Sequence, residues 1–452
     1  MEVSVGLRKY SRYLFVVGLV GVSIAAPAAD SLDFSIGFSV PQNTPESAVD
    51  AALTQLCPTV LQTVENAAPT LRAVCTFRTS VGASPEQMAT LLKEISPKVN
   101  TAPALLVSHA PAIRFSGDVA ARLASLRRGS RNDSKLNGLS FLPREPWFSK
   151  SIFRANSAST ADNGLFSQRL SGFVNGNFSS AEQREAATEA GYQNSGHGVS
   201  VGVDYRLGLR TFLGVAPQYN NQWATLDDEG SELRATQYSL MLYGSHFLTD
   251  AWYIDGTLGR GNQQLNLIRK VQYTLGTENF VASAKGETEN AQTSASVGTG
   301  SEFYLPYNAN LSVSANLVYA DSAIDSYTER DAGDLNLNVA GQKISSFTTH
   351  ANVSLSRAFS FKSDVLVPQV GLTWVHELRR DGQELKASLV GDTNVTQFGF
   401  VTRNQDTDFY IFTLDAQVLV PGGRVAFARL SNVFLLRDHT ETDVTVGYRM
   451  EF

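Results

Sequence analysis

Six histidines, two cysteines and a scatter of serines are the residues with which this chain could do chemistry. His109, His197, His246, His350, His376 and His439 never stand at the His-x-x-x-His or His-Glu-x-x-His spacing that brings two imidazoles to one ion. In "WVHEL", His376 and Glu377 are neighbours, and an extended strand sends neighbours to opposite faces. A serine hydrolase working on a strand surface needs its serine and its histidine base on one face. "HGVS" separates His197 and Ser200 by three positions and so splits them between faces. His350 and Ser354 share a face, but it is the polar one, and no acidic or amide third member accompanies them. Neither a Gly-x-Ser-x-Gly block nor a Gly-rich phosphate loop occurs. The expectation is a chain with no catalytic residue, no metal and no cofactor.

The two cysteines, Cys57 and Cys75, have no nearby histidine and lie much farther apart than a Cys-x-x-Cys. In an oxidising compartment they can pair in one way only. They would close a loop of about 18 residues, a staple contributing on the order of 3 kcal/mol. The alternative is two buried thiols.

The elements that carry these residues fall into distinct stretches. With 452 residues, a formal charge of -6 and 18% charged residues, the chain lacks the basic surface of a nucleic-acid binder. Residues 1–28 read as a secretory leader: Arg8, Lys9 and Arg12 precede an apolar run from Tyr13 to Ile24, and Ala26-Pro27-Ala28 offers a small-x-small cleavage site. That run is too short to cross about 30 Å of hydrocarbon comfortably, although a membrane anchor is the competing reading. Residues 29–140 repeat apolar positions at three and four and read as a small helical domain holding the cysteine pair. Helix starts are marked by Thr44-Pro45 and by Ser84-Pro85, with Gln87 three beyond the cap. In "DVAARLASLRRG", Val119, Leu123 and Leu126 form one stripe, Arg122, Arg127 and Arg128 add charge, and Gly129 ends the helix. Residues 141–164, mixed in Pro, Ser, Asn and Gly, read as a linker.

From 165 to 452 the period becomes two. Trp252, Ile254 and Leu258 alternate with Tyr253, Asp255 and Thr257; Val199, Val201 and Val203 alternate with Ser200, Gly202 and Asp204. The closing "TDVTVGYRMEF" puts Val444, Val446, Tyr448, Met450 and Phe452 on one face, and ends on a bare aromatic. One apolar and one polar face per strand fits a transmembrane barrel whose apolar side meets lipid and whose polar side lines a lumen. A soluble sandwich would need a second layer over each apolar face. About twelve strands can be counted.

The connections alternate in length. Short links fall near 207–209, 248–250, 306–308, 361–363 and 421–423, and longer polar stretches near 179–190, 222–232, 269–290, 325–342 and 380–404. Short periplasmic turns and long extracellular loops are the pattern of bacterial outer-membrane barrels. The fold class expected is therefore mainly β: a twelve-stranded antiparallel transmembrane β-barrel preceded by a small α-helical domain, in the outer membrane of a Gram-negative bacterium with its long loops outside.

The stretches "GVSVGVDYRL", "YSLMLYGSHFLTDAWYIDGTLGRG", "VLVPQVGLTWVHEL" and "GGRVAFARLSNVFLLRDHTETDVTVGYRMEF", in this order and spacing, resemble the autotransporter β-barrel domain, the translocator of type V secretion. The resemblance implies insertion by the barrel-assembly machinery, which reads the final strand with Phe452, Met450 and Tyr448 as its signal. It implies passage of the chain with periplasmic chaperones, lodging among outer-membrane lipids, and a monomeric barrel. It also implies export of an N-terminal passenger, with a helix left in the pore. "DVAARLASLRRG" is the candidate pore helix, its Arg122, Arg127 and Arg128 facing lumen acids such as Asp204, Asp255 and Asp415; a periplasmic helix is the other reading. The chain departs from the family pattern in having no asparagine pair for self-cleavage, only Asn132-Asp133 and Asn137-Gly138, and no repetitive passenger.

Two functions follow. The first is a translocator barrel that anchors and exports or displays its short N-terminal region. The second is an integral surface protein whose loops, especially 269–290 and 380–404, bind ligands while the N-terminal domain stays in the periplasm; a stapled loop threads a narrow barrel poorly, which favours this second reading.

Overall fold

Strand periodicity dominates the second half of the chain. In a computed structural model, whose described residues are 43–62, 68–80, 84–101, 170–208, 210–226, 230–361, 364–379, 384–402, 406–421 and 424–451, that periodicity becomes a closed sheet. The secretory leader, the stretch 102–169 with Arg122, Arg127 and Arg128, His109, and Phe452 lie outside these residues.

The strands are β1 (Leu170–Gln183), β2 (Tyr192–Arg206), β3 (Thr211–Leu226), β4 (Glu232–Phe247), β5 (Trp252–Leu275), β6 (Glu278–Leu305), β7 (Ala309–Ile324), β8 (Tyr327–Thr328), β9 (Leu337–Val339), β10 (Gln342–Arg357), β11 (Phe359–Phe361), β12 (Asp364–Arg379), β13 (Glu384–Leu389), β14 (Phe398–Val401), β15 (Asp408–Val420), β16 (Arg424–Leu436) and β17 (His439–Glu451). Neighbours pair antiparallel in the order β10-β7-β6-β5-β4-β3-β2-β1-β17-β16-β15-β12, and a β10–β12 pairing closes the ring. Among the described residues that is a twelve-stranded barrel, with the three-residue β11 attached at a turn. First and last strands meet from Ser171↔Glu451 to Gln183↔His439, so no sheet edge faces lipid.

The alternation sorts the faces as expected. Val199, Val201, Val203, Leu240, Leu242, Val444, Val446 and Tyr448 are exposed on the outside, while Asn194, Ser200, Gln263, Thr445 and Arg449 are buried on the inside. On β5 the apolar outer residues Trp252, Ile254 and Leu258 give way to exposed Arg260, Asn262, Gln264 and Asn266. That change marks where the lipid-facing band ends.

One end of the barrel carries both strand termini, Leu170 and Glu451, and the short β2–β3, β4–β5, β6–β7 and β15–β16 connections. The other end carries the long connections, and here the structure corrects the sequence reading. Residues 269–290 are no loop: β5 continues to Leu275, β6 begins at Glu278, and they pair without a break from Trp252↔Ser301 to Leu275↔Glu278. A membrane crossing takes roughly ten strand residues, so more than half of the 24-residue β5 stands beyond the bilayer. The stretches 325–342 and 380–404 hold the second sheet, in order β14-β13-β9-β8. The β16–β17 connection, Arg437-Asp438, is a tight turn at this end, so the alternation of lengths is not complete.

Three helices are described before the barrel: α1 (Pro45–Gln62), α2 (Pro69–Thr79) and α3 (Pro85–Ile95). The expected starts hold, because Thr44 Oγ1 accepts from Ser47 N at 3.2 Å and Ser84 Oγ from Gln87 N at 3.5 Å. Val49, Leu53, Leu56 and Val60 form the buried stripe of α1. Cys57 and Cys75 are joined, stapling α1 to α2, and Arg78 adds an ion pair to Asp50 at 2.7 Å.

Candidate functional site

A closed barrel offers two kinds of site, its lumen and its mouths. The inner wall is lined mostly by uncharged polar groups that bond across strands. Gln237 Nε2 donates to Gln292 Oε1 at 2.6 Å, and Asn290 Nδ2 to Gln263 Oε1 at 3.1 Å. Such groups stay solvated or paired without fixing a charge in the path.

Of the three acids expected to face inward, Asp204 is buried, accepting from Ser171 Oγ at 3.1 Å and from Tyr243 Oη. Asp415 is also buried, but Arg429 already holds it at 3.2 Å and Gln417 donates to it at 3.1 Å. Asp255 is half-buried on the same face of β5 as the buried Tyr253. Near the short-turn end the inner wall carries an apolar cluster that alternation alone concealed: Phe173, Phe212, Ala216, Met241, Tyr243, Phe247 and Tyr253. Rings fit there because glycines lie opposite them. A Cβ on Gly202 would overlap the Phe173 ring, and one on Gly214 the Tyr243 ring.

The histidines are dispersed. His350 lies in the lumen beside Thr348, His439 beside Gln183, His246 pairs with Thr211, and His376 pairs with Asp408. His197 is exposed on the outside while Ser200 is buried on the inside. Among the described residues no group of three His, Cys, Asp or Glu could hold a metal ion.

The densest polar construction is at the long-loop end, where the helices dock on the barrel's own extensions. α1 packs on β14, α3 on β5, and α2 on the single turn Gly333–Leu335. Arg269, on the extended part of β5, is 1% exposed and makes a bidentate pair with the equally buried Glu329, Nη2–Oε2 2.6 Å and Nε–Oε1 3.0 Å. Its remaining nitrogen Nη1 donates to the carbonyl of Glu94, in the last turn of α3, at 3.0 Å. That carbonyl is among the orphan acceptors of a helix end, where a cation is favoured.

Glu329 is satisfied in turn by Asn100 Nδ2 at 3.0 Å and by Leu337 N at 3.0 Å. Asn100 also donates to Tyr327 Oη at 2.9 Å. Burial, reinforced by Glu329, pushes the Tyr327 hydroxyl well above its ordinary pKa, so it stays protonated. A buried pair this thoroughly hydrogen-bonded offsets the cost of removing two charges from water.

Three further contacts complete the docking. Asp334 Oδ2 accepts from Leu71 N, in the first turn of α2, at 2.7 Å. Lys98 Nζ meets Glu185 Oε1 at 2.5 Å and holds that carboxyl below its usual range. Gln87, three beyond the Ser84 cap, sends Nε2 to the carbonyl of Gly276 at the hairpin tip, 3.3 Å away.

None of Arg269, Glu329, Asn100, Asp334, Lys98 or Glu185 was singled out from sequence. One local sign existed: α2 opens "AAPTLR", with Ala68 in the cap position and no side-chain acceptor of its own.

A family model, the autotransporter β-domain, matches residues 172–428. Among solved structures, the translocator domain of autotransporter NalP from Neisseria meningitidis is 14% identical with a TM-score of 0.50, over 76% of this chain and 100% of that one. The β-domain of the Bordetella autotransporter Brka is 12% identical, TM-score 0.44, over 63% and 100%. The transport unit of autotransporter AIDA-I from Escherichia coli is 12% identical, TM-score 0.40, over 67% and 96%. No curated protein matches the chain.

Proposed function

The chain belongs to the autotransporter β-domain family, and on that premise we propose that it is an outer-membrane translocator that exports its own helical segment and displays it, folded, on the cell surface. The observation that carries this reading is where the segment docks. The helices bond to residues of the long-loop end, through Leu71–Asp334, Lys98–Glu185 and Arg269–Glu94, whereas β1 begins at Leu170 at the opposite end. The described helical segment thus ends, at Thr101, at the opposite end of the barrel from the start of β1 at Leu170. With the strand termini on the periplasmic side, the usual orientation of such barrels, the docked helices are extracellular.

Asp204, Asp255 and Asp415, the last paired with Arg429, stand on the inner face, the side that a basic segment such as Arg122, Arg127 and Arg128 would meet. The closed ring supports a monomeric barrel. Tyr448 is exposed on the outer face of the last strand. With Met450 and Phe452 it forms the stretch we assign to the barrel-assembly machinery, with periplasmic chaperones holding the chain beforehand. Deleting Phe452 should lower outer-membrane assembly and raise periplasmic degradation; unchanged insertion would remove that role.

The alternative keeps the helical domain in the periplasm and leaves function to the loops. It must place the stapled helices at the end where β1 starts, away from every docking contact described above. Protease shaving of intact cells decides between them, using an epitope near Asp30 in the parent chain and in Cys57→Ser/Cys75→Ser. Loss of the tag from intact cells supports display. Survival of the tag until the outer membrane is breached, with the long loops cut, overturns it.

A further inference from the structure

We infer that the docked helical segment is a lid that closes the barrel at its long-loop mouth, so that the finished protein is a sealed anchor and not an open pore. The ring order carries the argument. The β1–β2 connection and the β7–β10 connection lie six strands apart in a ring of twelve, on opposite sides of the barrel. Lys98 bonds Glu185 in the first of these connections, and Asn100, two residues on, bonds Tyr327 and Glu329 in the second. Residues from opposite walls thus meet on one short piece of chain, so that piece and the loops it gathers lie across the opening.

The closure is dry as well as bonded. Asn100 and Thr101 are fully buried, and just inside the mouth Val375, Phe409, Val433 and Leu436 form an apolar cluster on the inner wall. An open, water-filled mouth would leave both wet. The inference holds whichever way the barrel faces the membrane and so does not depend on the display reading. Its consequence is that a chain which has passed its own helices through the barrel cannot pass another.

The test is conductance of the purified full-length protein in planar lipid bilayers, beside Lys98→Ala/Asp334→Ala and a chain lacking residues 43–101. Among the described residues no barrel strand uses one before Leu170, and heat-modifiable gel mobility confirms that each barrel has folded. The parent should stay closed. The truncated chain should conduct several-fold more, and the double variant should open more often as its helices become protease-sensitive. A parent that already conducts like the truncated chain overturns the lid. So does a truncated chain that stays closed, which would place the obstruction below the mouth.

Discussion

Asp334 caps a helix from far along the chain, its Oδ2 accepting at 2.7 Å from the backbone N–H of Leu71, 263 residues before it. Helix α2 starts with Pro69 behind Ala68, which has no side-chain oxygen, so its orphan donors depend on a residue from a barrel loop. A negative charge there is also favoured by the helix dipole. Helix and loop are therefore two parts of one small domain beyond the membrane.

Asp334→Ala should cost about 1 kcal/mol of docking, the usual worth of an N-cap. Amide hydrogen exchange at Leu71 and the following turn of α2 should speed up, while exchange in the barrel strands stays unchanged. Asp334→Asn, which keeps an acceptor, should restore most of the protection.

Arg269 and Glu329 should behave as a unit. Removing one partner of a buried, hydrogen-bonded pair costs about 3–5 kcal/mol because the other charge is left unpaired. Arg269→Met alone and Glu329→Leu alone should each loosen the helical segment more than half as much as the double variant does. Pulse proteolysis of residues 43–101 in urea measures all three; strictly additive effects would show that the pair does not couple.

Docking should weaken in acid through Lys98–Glu185. The hydrogen bond from Lys98 holds the Glu185 carboxyl below its ordinary value. The stabilisation is therefore complete above the ordinary carboxylate pKa, about 4.3, and is lost as pH falls through the lower folded value. Glu185 is partly exposed, so the effect is small and screened by salt. Protease sensitivity of the helices between pH 5 and 3 should flatten in Glu185→Gln.

Gly214→Ala tests the aromatic cluster inside the barrel. The added methyl would overlap the Tyr243 ring, and overpacking of this kind costs about 1–3 kcal/mol. The folded band on a heat-modifiability gel should melt at lower temperature. Gly276→Ala at the hairpin tip has open space around it, so its cost should be the local one of a left-handed backbone.

Much of this architecture was already legible in the amino acids. Alternation such as Val199–Ser200–Val201–Gly202–Val203 decides which face meets lipid, because a one-residue slip would turn every side chain over. The helix starts at Thr44-Pro45 and Ser84-Pro85 were visible because capping is local. The single pairing of Cys57 with Cys75 was open to the sequence because no third cysteine competes. What escaped was whatever lacked an apolar partner face. Beyond Leu258, β5 carries Arg260, Asn262, Gln264 and Asn266 outside; with no lipid to meet, the strand loses its amphipathic contrast and reads as loop through 269–290. The docking of the helices was hidden for a different reason. Asp334 on Leu71, Glu329 on Asn100 and Glu185 on Lys98 are bonds between residues remote in sequence, each an ordinary surface residue in its own neighbourhood. Local pattern built the barrel and the helices, and only tertiary structure decided where the helices dock on the barrel.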